Sequence, residues 1–311
     1  SNYFKVTAFR DGKEKTAEFE RGVLTQEHKE TKSSEENGTL VVFVPDDKIF
    51  KNFHFVQEYL DNQFWNYCYL NAGLVMNLNN KRYVSKNGLL DLLQRKTNED
   101  EIRYPIIHLK GEDIEIALTH ENDYGEEYYS FVNGQFTTQG GTHLAAFREA
   151  FVKTIREFYK KDYDASDIRG SVCAALSIRV QEPVFESQTK TKLGSQTVYE
   201  GGPSMRNFIG DFLGRELDNF LHKNSETAEA LKKRIEQNER ERKDMAGIKK
   251  LANERAKKAN LHNKKLRDCK FHYNDEATGK DKDKISEKQK ESTIFITEGD
   301  SASGSITKAR N

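Results

Sequence analysis

Cysteine is scarce in this sequence and badly spaced for metal or disulfide chemistry. The 311 residues hold three, Cys68, Cys173 and Cys269, far apart and none in a C-x-x-C pair. That spacing argues against a zinc site or a disulfide framework and for a reducing compartment. Net charge is missing as well, because 50 Lys and Arg balance 50 Asp and Glu. Any surface for nucleic acid must therefore come from local clustering. No apolar run approaches the roughly 20 residues that cross a bilayer, and the N-terminus lacks the apolar region of a signal peptide. No membrane partner and a cytoplasmic location are expected. There is no internal repeat and no G-x-x-x-x-G-K-S/T phosphate loop, so ATP would need another phosphate-holding geometry.

The length exceeds one ordinary core and implies two or three domains. The chain opens directly on a strand, Tyr3 to Phe9, as expected of a piece of something longer. Alternation and the Asp11-Gly12 turn predict a hairpin with Thr16 to Phe19, and Gly38 to Pro45 reads as a buried strand. Helical spacing of Phe55, Leu60, Phe64, Tyr67 and Cys68 predicts a helix C-capped at Gly73. A second hairpin about Asn79-Asn80 and a short helix from Gly88 to Leu93 follow.

From about Asn98 the pattern changes. Strands are expected at Ile106 to Leu109, Ile114 to Leu118 and Tyr128 to Val132, then a helix from an N-cap at Thr142 to about Tyr159, then a central strand from Val172 to Val180. This order implies an α+β layer with helices on one face. Beyond Pro203 a well-buried helix stops near Asn224. Ser225 then caps a longer one with a thin stripe of Leu231, Ile235, Met245, Ile248, Leu251, Ala252 and Ala256. Continuous to about Asn260, it would span on the order of 50 Å. Asn274 to Lys290 reads as a flexible linker and Ser292 to Thr297 as a last buried strand.

Three stretches invite a chemical reading. Pro183 to Gly194 is a loop carrying Gln188, Lys190 and Lys192. An amide and flexible point charges suit a phosphate, and a solvated basic turn is the plainer alternative. Glu298-Gly299-Asp300 puts carboxylates at the end of a strand, where a divalent cation would find hard oxygen ligands, although on spacing alone a capped strand-to-helix turn is the favoured reading. A serine-hydrolase elbow at Ser301 fails: Ser303 takes the second glycine position and no Asp and His follow before Asn311. Lys249, Lys250, Arg255, Lys257, Lys258, Lys264, Lys265 and Arg267 face only Glu254 in their span, which suits either a solvated helix face or DNA phosphates.

Taken together, Gln188-Thr189-Lys190, Gly140-Gly141-Thr142-His143 and Glu298-Gly299-Asp300-Ser301-Ala302 resemble, in order and separation, motifs of type IIA DNA topoisomerase B subunits (topoisomerase IV B and gyrase B). The resemblance covers nearly the whole chain. It implies an α+β protein: a partial GHKL (Bergerat) ATPase sandwich over 1–98, a ribosomal-protein-S5-domain-2-like transducer with a long C-terminal helix over 99–270, a linker over 271–291, and the first strand of a TOPRIM Rossmann-like domain over 292–311. By that likeness Gln188 and Lys190 contact the ATP γ-phosphate and Thr39 lines the adenine pocket. Glu298 belongs to a Mg²⁺ site for DNA cleavage whose paired aspartates lie beyond Asn311.

The same likeness gives ATP and Mg²⁺ as cofactors, and DNA, a topoisomerase A subunit carrying the cutting tyrosine, and a second B subunit in an A2B2 assembly as partners. The fragment itself is expected neither to bind ATP tightly nor to turn it over. His143 in the G-G-T-H motif reads as structural. Asp167-Ile168-Arg169-Gly170-Ser171 departs from the family's D-x-R-E-G at its last two positions, and Asp167 with Arg169 is expected to orient the adjoining strand. Phe185-Glu186-Ser187 favours topoisomerase IV B. Two alternatives stay open, a MutL- or chaperone-type relative and a non-enzymatic DNA-binding scaffold built on the long helix; the Glu298 turn and the strand content, respectively, speak against them.

Overall fold

The computed structural model describes residues 1–122, 125–261, 289–290, 293–298 and 306. It divides into two compact units, Ser1–Glu236 and Gln237–Asn311. The first unit begins with β1 (Tyr3–Arg10), β2 (Lys13–Glu20), β3 (Val23–Glu27), β4 (Thr31–Lys32) and β5 (Gly38–Val44). They form one sheet in the order β3-β2-β1-β5, with β4 paired to the other end of β2. Asp11 and Gly12 both take positive φ, which is what a tight hairpin turn needs. The predicted hairpin is present, with Thr7 opposite Thr16 and Phe4 opposite Phe19.

The expectation of a buried strand at β5 is overturned. Leu40, Val41, Val42, Phe43 and Val44 are all exposed, on both faces. β5 is an edge strand paired only to β1, and no described layer covers it.

Helix α1 (Gln57–Leu70) follows, then the hairpin β6 (Val75–Leu78) and β7 (Lys81–Val84), then α2 (Leu89–Lys96). Asn79 supplies the positive φ of the hairpin turn. In α1 Cys68 is buried as expected, with Tyr69 beside it, while Tyr67 is exposed; Phe55 lies before the helix and is exposed. Asn71, not Gly73, takes the C-cap position, its N–H bonded to the Tyr67 carbonyl.

The core is a second sheet, β8 (Ile107–Lys110), β9 (Ile114–His120), β10 (Glu127–Val132), β11 (Gln135–Phe136) and β12 (Val172–Ile178), in the order β11-β10-β12-β9-β8. The strand predicted to be central is central. Only the β10–β12 pairing is parallel. The crossover between those two strands carries α3 (Thr142–Tyr159) and the short α4 (Ala165–Arg169). The chain then continues through α5 (Met205–Lys223) into α6 (Ser225–Leu261).

Helices cover both faces of this sheet, not one. Alternate side chains go to opposite faces of a strand. Val172, Ala174, Leu176 and Ile178 of β12 pack with Phe147, Phe151 and Ile155 of α3 and with Ile209, Leu213 and Leu217 of α5. Cys173 and Ala175, with Ala117 of β9, face Leu89, Leu92 and Leu93 of α2 and Tyr69 of α1. The small residues on that face let α2 lie close; α2 precedes Asn98, so the order of elements beyond that point, which implied helices on one face, did not include it.

The start of α6 belongs to the same core. Leu231 and Ile235 are fully buried. Buried Arg234 donates from Nε to Ser171 Oγ at 2.9 Å, and Tyr159 donates its hydroxyl to the Ala228 carbonyl at 2.5 Å. Asn224 both ends α5 and, through its carbonyl to Ala228 N, begins α6; Ser225 is the first helical residue and not its cap. The predicted stripe does not stay buried along the helix. Met245, Ile248 and Leu251 in the second unit are exposed.

Also in the second unit, residues 293–297 form no strand, and Ile294, Phe295 and Ile296 are exposed. A strand is defined by its ladder, and no described segment pairs with this one. The linker expected over 274–290 lies outside the described residues except for 289–290, which are helical.

Two histidines are sealed in the first unit. His120 donates from Nε2 to the Ile168 carbonyl at 2.8 Å and accepts the Tyr104 hydroxyl at Nδ1. Burial lowers the pKa of both His120 and His143 from 6.5 to about 4. The unfolded chain therefore holds more protons than the folded one between these values, and stability falls as pH drops through that window. Each histidine is expected to remove ~3 kcal/mol by pH 4. Urea denaturation from pH 6.5 to 5, above most carboxylate titration, should show uptake approaching two protons on unfolding. His143→Gln should remove about one of them, and a flat profile would contradict the assignment.

A lysine loop seated on a glycine corner

The loop after β12 is held by backbone bonds along its return limb. Val184 O accepts Gly194 N at 2.8 Å and Ser195 N at 3.2 Å, and Glu186 N donates to Lys192 O at 3.0 Å. Its tip is a tight turn in which Lys190 N donates to Ser187 O at 3.0 Å, with Lys190 itself in the left-handed region at φ 55°. Ser187 and Thr189 hydroxyls meet at 2.8 Å across the tip.

The same limb lies on the corner that opens α3. Gln139 N donates to Thr191 O at 2.9 Å, Leu193 N to Gly140 O at 3.0 Å, and Thr142 N to Leu193 O at 3.1 Å. Thr142 was expected to cap the helix. Its hydroxyl instead donates to the Ser195 carbonyl at 2.6 Å, and Gly141 occupies the cap position. A loop carbonyl thus takes one of the otherwise unpaired N–H groups of the first helical turn.

Glycine is required at 141 for two separate reasons. Its φ is 133°, and a Cβ there would sit 2.3 Å from Leu193 O and 2.5 Å from Leu193 N. Neither is a flexible side-chain end that could swing aside. The two motifs, Gly140-Gly141-Thr142-His143 and Gln188-Thr189-Lys190, are therefore one structural unit.

His143 supports the corner from within. It is fully buried, with Nε2 3.1 Å from Thr137 Oγ1. Thr137 Oγ1 also lies 2.8 Å from the Ser130 carbonyl and 2.7 Å from Ser130 Oγ, and His143 Nδ1 has no hydrogen-bond partner among the described residues. Such a group is structural, as expected.

At the tip, Gln188 and Lys190 are exposed. Lys192 is paired with Glu186 at 2.9 Å, whereas Lys190 makes no ion pair among the described residues. The local geometry thus separates the two lysines: one charge is balanced within the loop and the other is free for an incoming anion.

Thr39 lies on exposed β5 opposite Ala8, and no hydrogen bond or ion pair joins the loop to β5 among the described residues. Glu298, in the second unit, is exposed, and the rest of its predicted motif lies outside the described residues. Asp167 is buried in α4, and Arg169 reaches Glu126 at 3.2 Å, which Arg148 also holds at 2.8 Å. That clamp lies at the entry to β10, whereas the orienting role expected of Asp167 with Arg169 concerned the strand after Ser171, β12. Lys249 and Lys250 are exposed.

Sequence reading missed the seating of Leu193 on Gly141, for which the only signal was two consecutive glycines before a helix. Gly141→Ala is expected to cost about 1–3 kcal/mol in backbone strain alone and to reduce amide-exchange protection at Leu193 and Thr142. Gly210→Ala, inside α5 with open space around it, should raise stability by up to ~1 kcal/mol and leave the loop untouched. Equal melting temperatures for G141A and the parent would show that the loop is not seated.

The comparisons with known proteins agree with this architecture. The family model for DNA gyrase B matches residues 88–251. The B subunit of DNA topoisomerase 4 from Borreliella burgdorferi is 41% identical over 312 aligned residues, covering 100% of this chain and 49% of the relative. The B subunit of DNA gyrase from Helicobacter pylori is 30% identical, covering 98% of this chain and 40% of the relative. The chain thus spans about half the length of the curated relatives it matches. Among solved structures, the ATPase domain of Thermus thermophilus gyrase B superposes with a TM-score of 0.64 at 24% identity, covering 81% of this chain and 72% of that one. The ATP-binding domain of Francisella tularensis topoisomerase IV gives 0.60 at 20%, covering 78% and 70%. The structures speak for the fold; the family model, which takes in the seated loop, the corner beneath it and the start of the long helix, establishes that this chain belongs to the DNA gyrase B family.

Proposed function

We propose that this chain is the nucleotide-sensing and transducing portion of the B subunit of an ATP-dependent type IIA DNA topoisomerase. In the whole protein it would couple ATP binding and hydrolysis to passage of one duplex through another. The observation that carries this reading is Lys190, a lysine without an ion pair among the described residues, at the tip of a loop whose return limb is fixed backbone to backbone on Gly140, Gly141 and Thr142. A positioned ammonium group that meets only the third phosphate has different affinities for the ATP and ADP states, which is what a switch requires. Gln188 adds an amide for a phosphate oxygen, and Thr39 would line the adenine side.

The proposed division is an ATPase portion over 1–98, a transducer over 99–270, a linker over 271–291 and the start of a TOPRIM domain from 292. The burial of Leu231, Ile235 and Arg234 supports rigid transmission from the transducer core into α6. The expected partners are DNA, a topoisomerase A subunit and a second copy of the B-type chain, in the cytoplasm.

Mg²⁺ would neutralise phosphate charge at the ATP site and assist DNA cleavage. The described residues do not make a site for it: Glu298 is one exposed carboxylate, whereas Mg²⁺ takes six oxygens in near-octahedral geometry. Identity of 41% to a topoisomerase 4 relative against 30% to a gyrase B relative supports the topoisomerase IV reading.

The test uses a chain extended to the length of its relatives. Lys190→Ala is expected to lower ATP hydrolysis at least ~10-fold, as loss of a charge that stabilises the reacting phosphate does. Lys192→Ala, which removes a lysine already paired to Glu186, should stay within about twofold, since exposed ion pairs contribute little. Equal rates for K190A and the parent would remove the sensing role.

A further inference from the structure

Three strand ends of the second sheet meet at one rim, on the face covered by α2. Cys173 lies in β12 opposite Glu127 of β10 on one side and Thr119 of β9 on the other. Glu121 stands two residues beyond Thr119, so it shares that residue's face, and its N–H is bonded to the Ser171 carbonyl at 2.9 Å. The register therefore brings two carboxylates and a thiol together from three adjacent strands. Their ligand atoms all lie within 4.8 Å of one another. Glu121 is partly buried and Glu127 exposed, whereas Cys173 is completely buried, with its Sγ within 4.8 Å of their carboxylate oxygens and no hydrogen-bond partner among the described residues.

We infer that Glu121, Glu127 and Cys173 form a binding site for a divalent transition-metal ion of the Zn²⁺ type, separate from the lysine loop. Sulfur and carboxylate oxygen in a three-ligand set suit Zn²⁺, which accepts both and completes a tetrahedron with water. Mg²⁺ prefers six hard oxygens and would not favour a thiolate. The wide spacing of cysteines in the sequence excludes a cysteine-only site but not this one, because the glutamates come from elsewhere in the chain.

The surroundings fit such a centre. The Tyr129 hydroxyl donates to Glu127, fixing that carboxylate as an outer partner of a metal ligand does. Lys96, 5.3 Å from the Tyr129 ring, is the positive charge that acts on the Cys173 thiol. Burial and the two carboxylates nonetheless push that thiol up to about 12.

Co²⁺, a spectroscopic substitute for Zn²⁺, tests the site on the protein carrying C68S and C269S, so that Cys173 is the sole thiol. The expected result is 1:1 binding with a thiolate-to-cobalt charge-transfer band, displaced by Zn²⁺ and not by Mg²⁺, and a higher melting temperature with Zn²⁺. Glu127→Gln, at an exposed position outside both core clusters, should weaken Co²⁺ binding at least ~10-fold. Cys173→Ser should abolish the band. Should C173S fail to fold, E127Q decides alone. Absence of the band in the parent, or unchanged Co²⁺ affinity in E127Q, overturns the site.

Discussion

The contact on which the rest depends is that of two backbones, Leu193 against Gly141. A side chain at 141 would occupy the space where the Leu193 carbonyl and amide now lie. Because that space is empty, the loop after β12 can donate to and accept from the opening turn of α3, and the tip bearing Gln188 and Lys190 inherits the rigidity of a buried helix. Backbone bonds suit this role better than side-chain contacts. They fix position without reference to rotamers and do not engage the side chains of Gln188 and Lys190.

The seated loop is one end of a connected body. α3 lies on the sheet face that also carries α5 and the first turns of α6, with Phe147, Phe151, Leu217, Leu231 and Ile235 in a single apolar cluster. Tyr159 and Arg234 add polar ties at the root of α6, each to a backbone or hydroxyl partner that burial makes costly to release. A displacement at the corner would thus be resisted by close-packed side chains up to the start of the long helix. The first sheet is different in kind. Its strands are well paired, yet β5 shows apolar side chains on both faces and none of its residues joins either core cluster.

Much of this was legible in the sequence wherever local rules decide. The hairpin turns at Asp11-Gly12 and Asn79-Asn80, the strand at Val172 and the stop near Asn224 each rest on turn chemistry, alternation or capping within a few residues. The errors share a cause. β5 and the segment at 293–297 are apolar enough to read as buried, but burial needs a covering layer that no local pattern reports. The face of the second sheet toward α2 was overlooked because α2 precedes the run of elements from which the layering was read; Ala117, Cys173 and Ala175 are small, and close packing there depends on that smallness. Thr142 has the chemistry of a cap, and a carbonyl 53 residues away claimed its hydroxyl.

By itself the sequence determined the family, the order of the elements and the residues that carry charge at the loop tip, because motifs and periodicity are properties of short stretches of chain. The tertiary structure alone decided which of two lysines is paired: Glu186 neutralises Lys192 across the loop, and Lys190 makes no ion pair among the described residues. It also decided that Cys173, isolated in sequence, would lie beside Glu121 and Glu127. Sheet register brings together residues that chain distance keeps apart, and hydrogen bonding between strands sets that register.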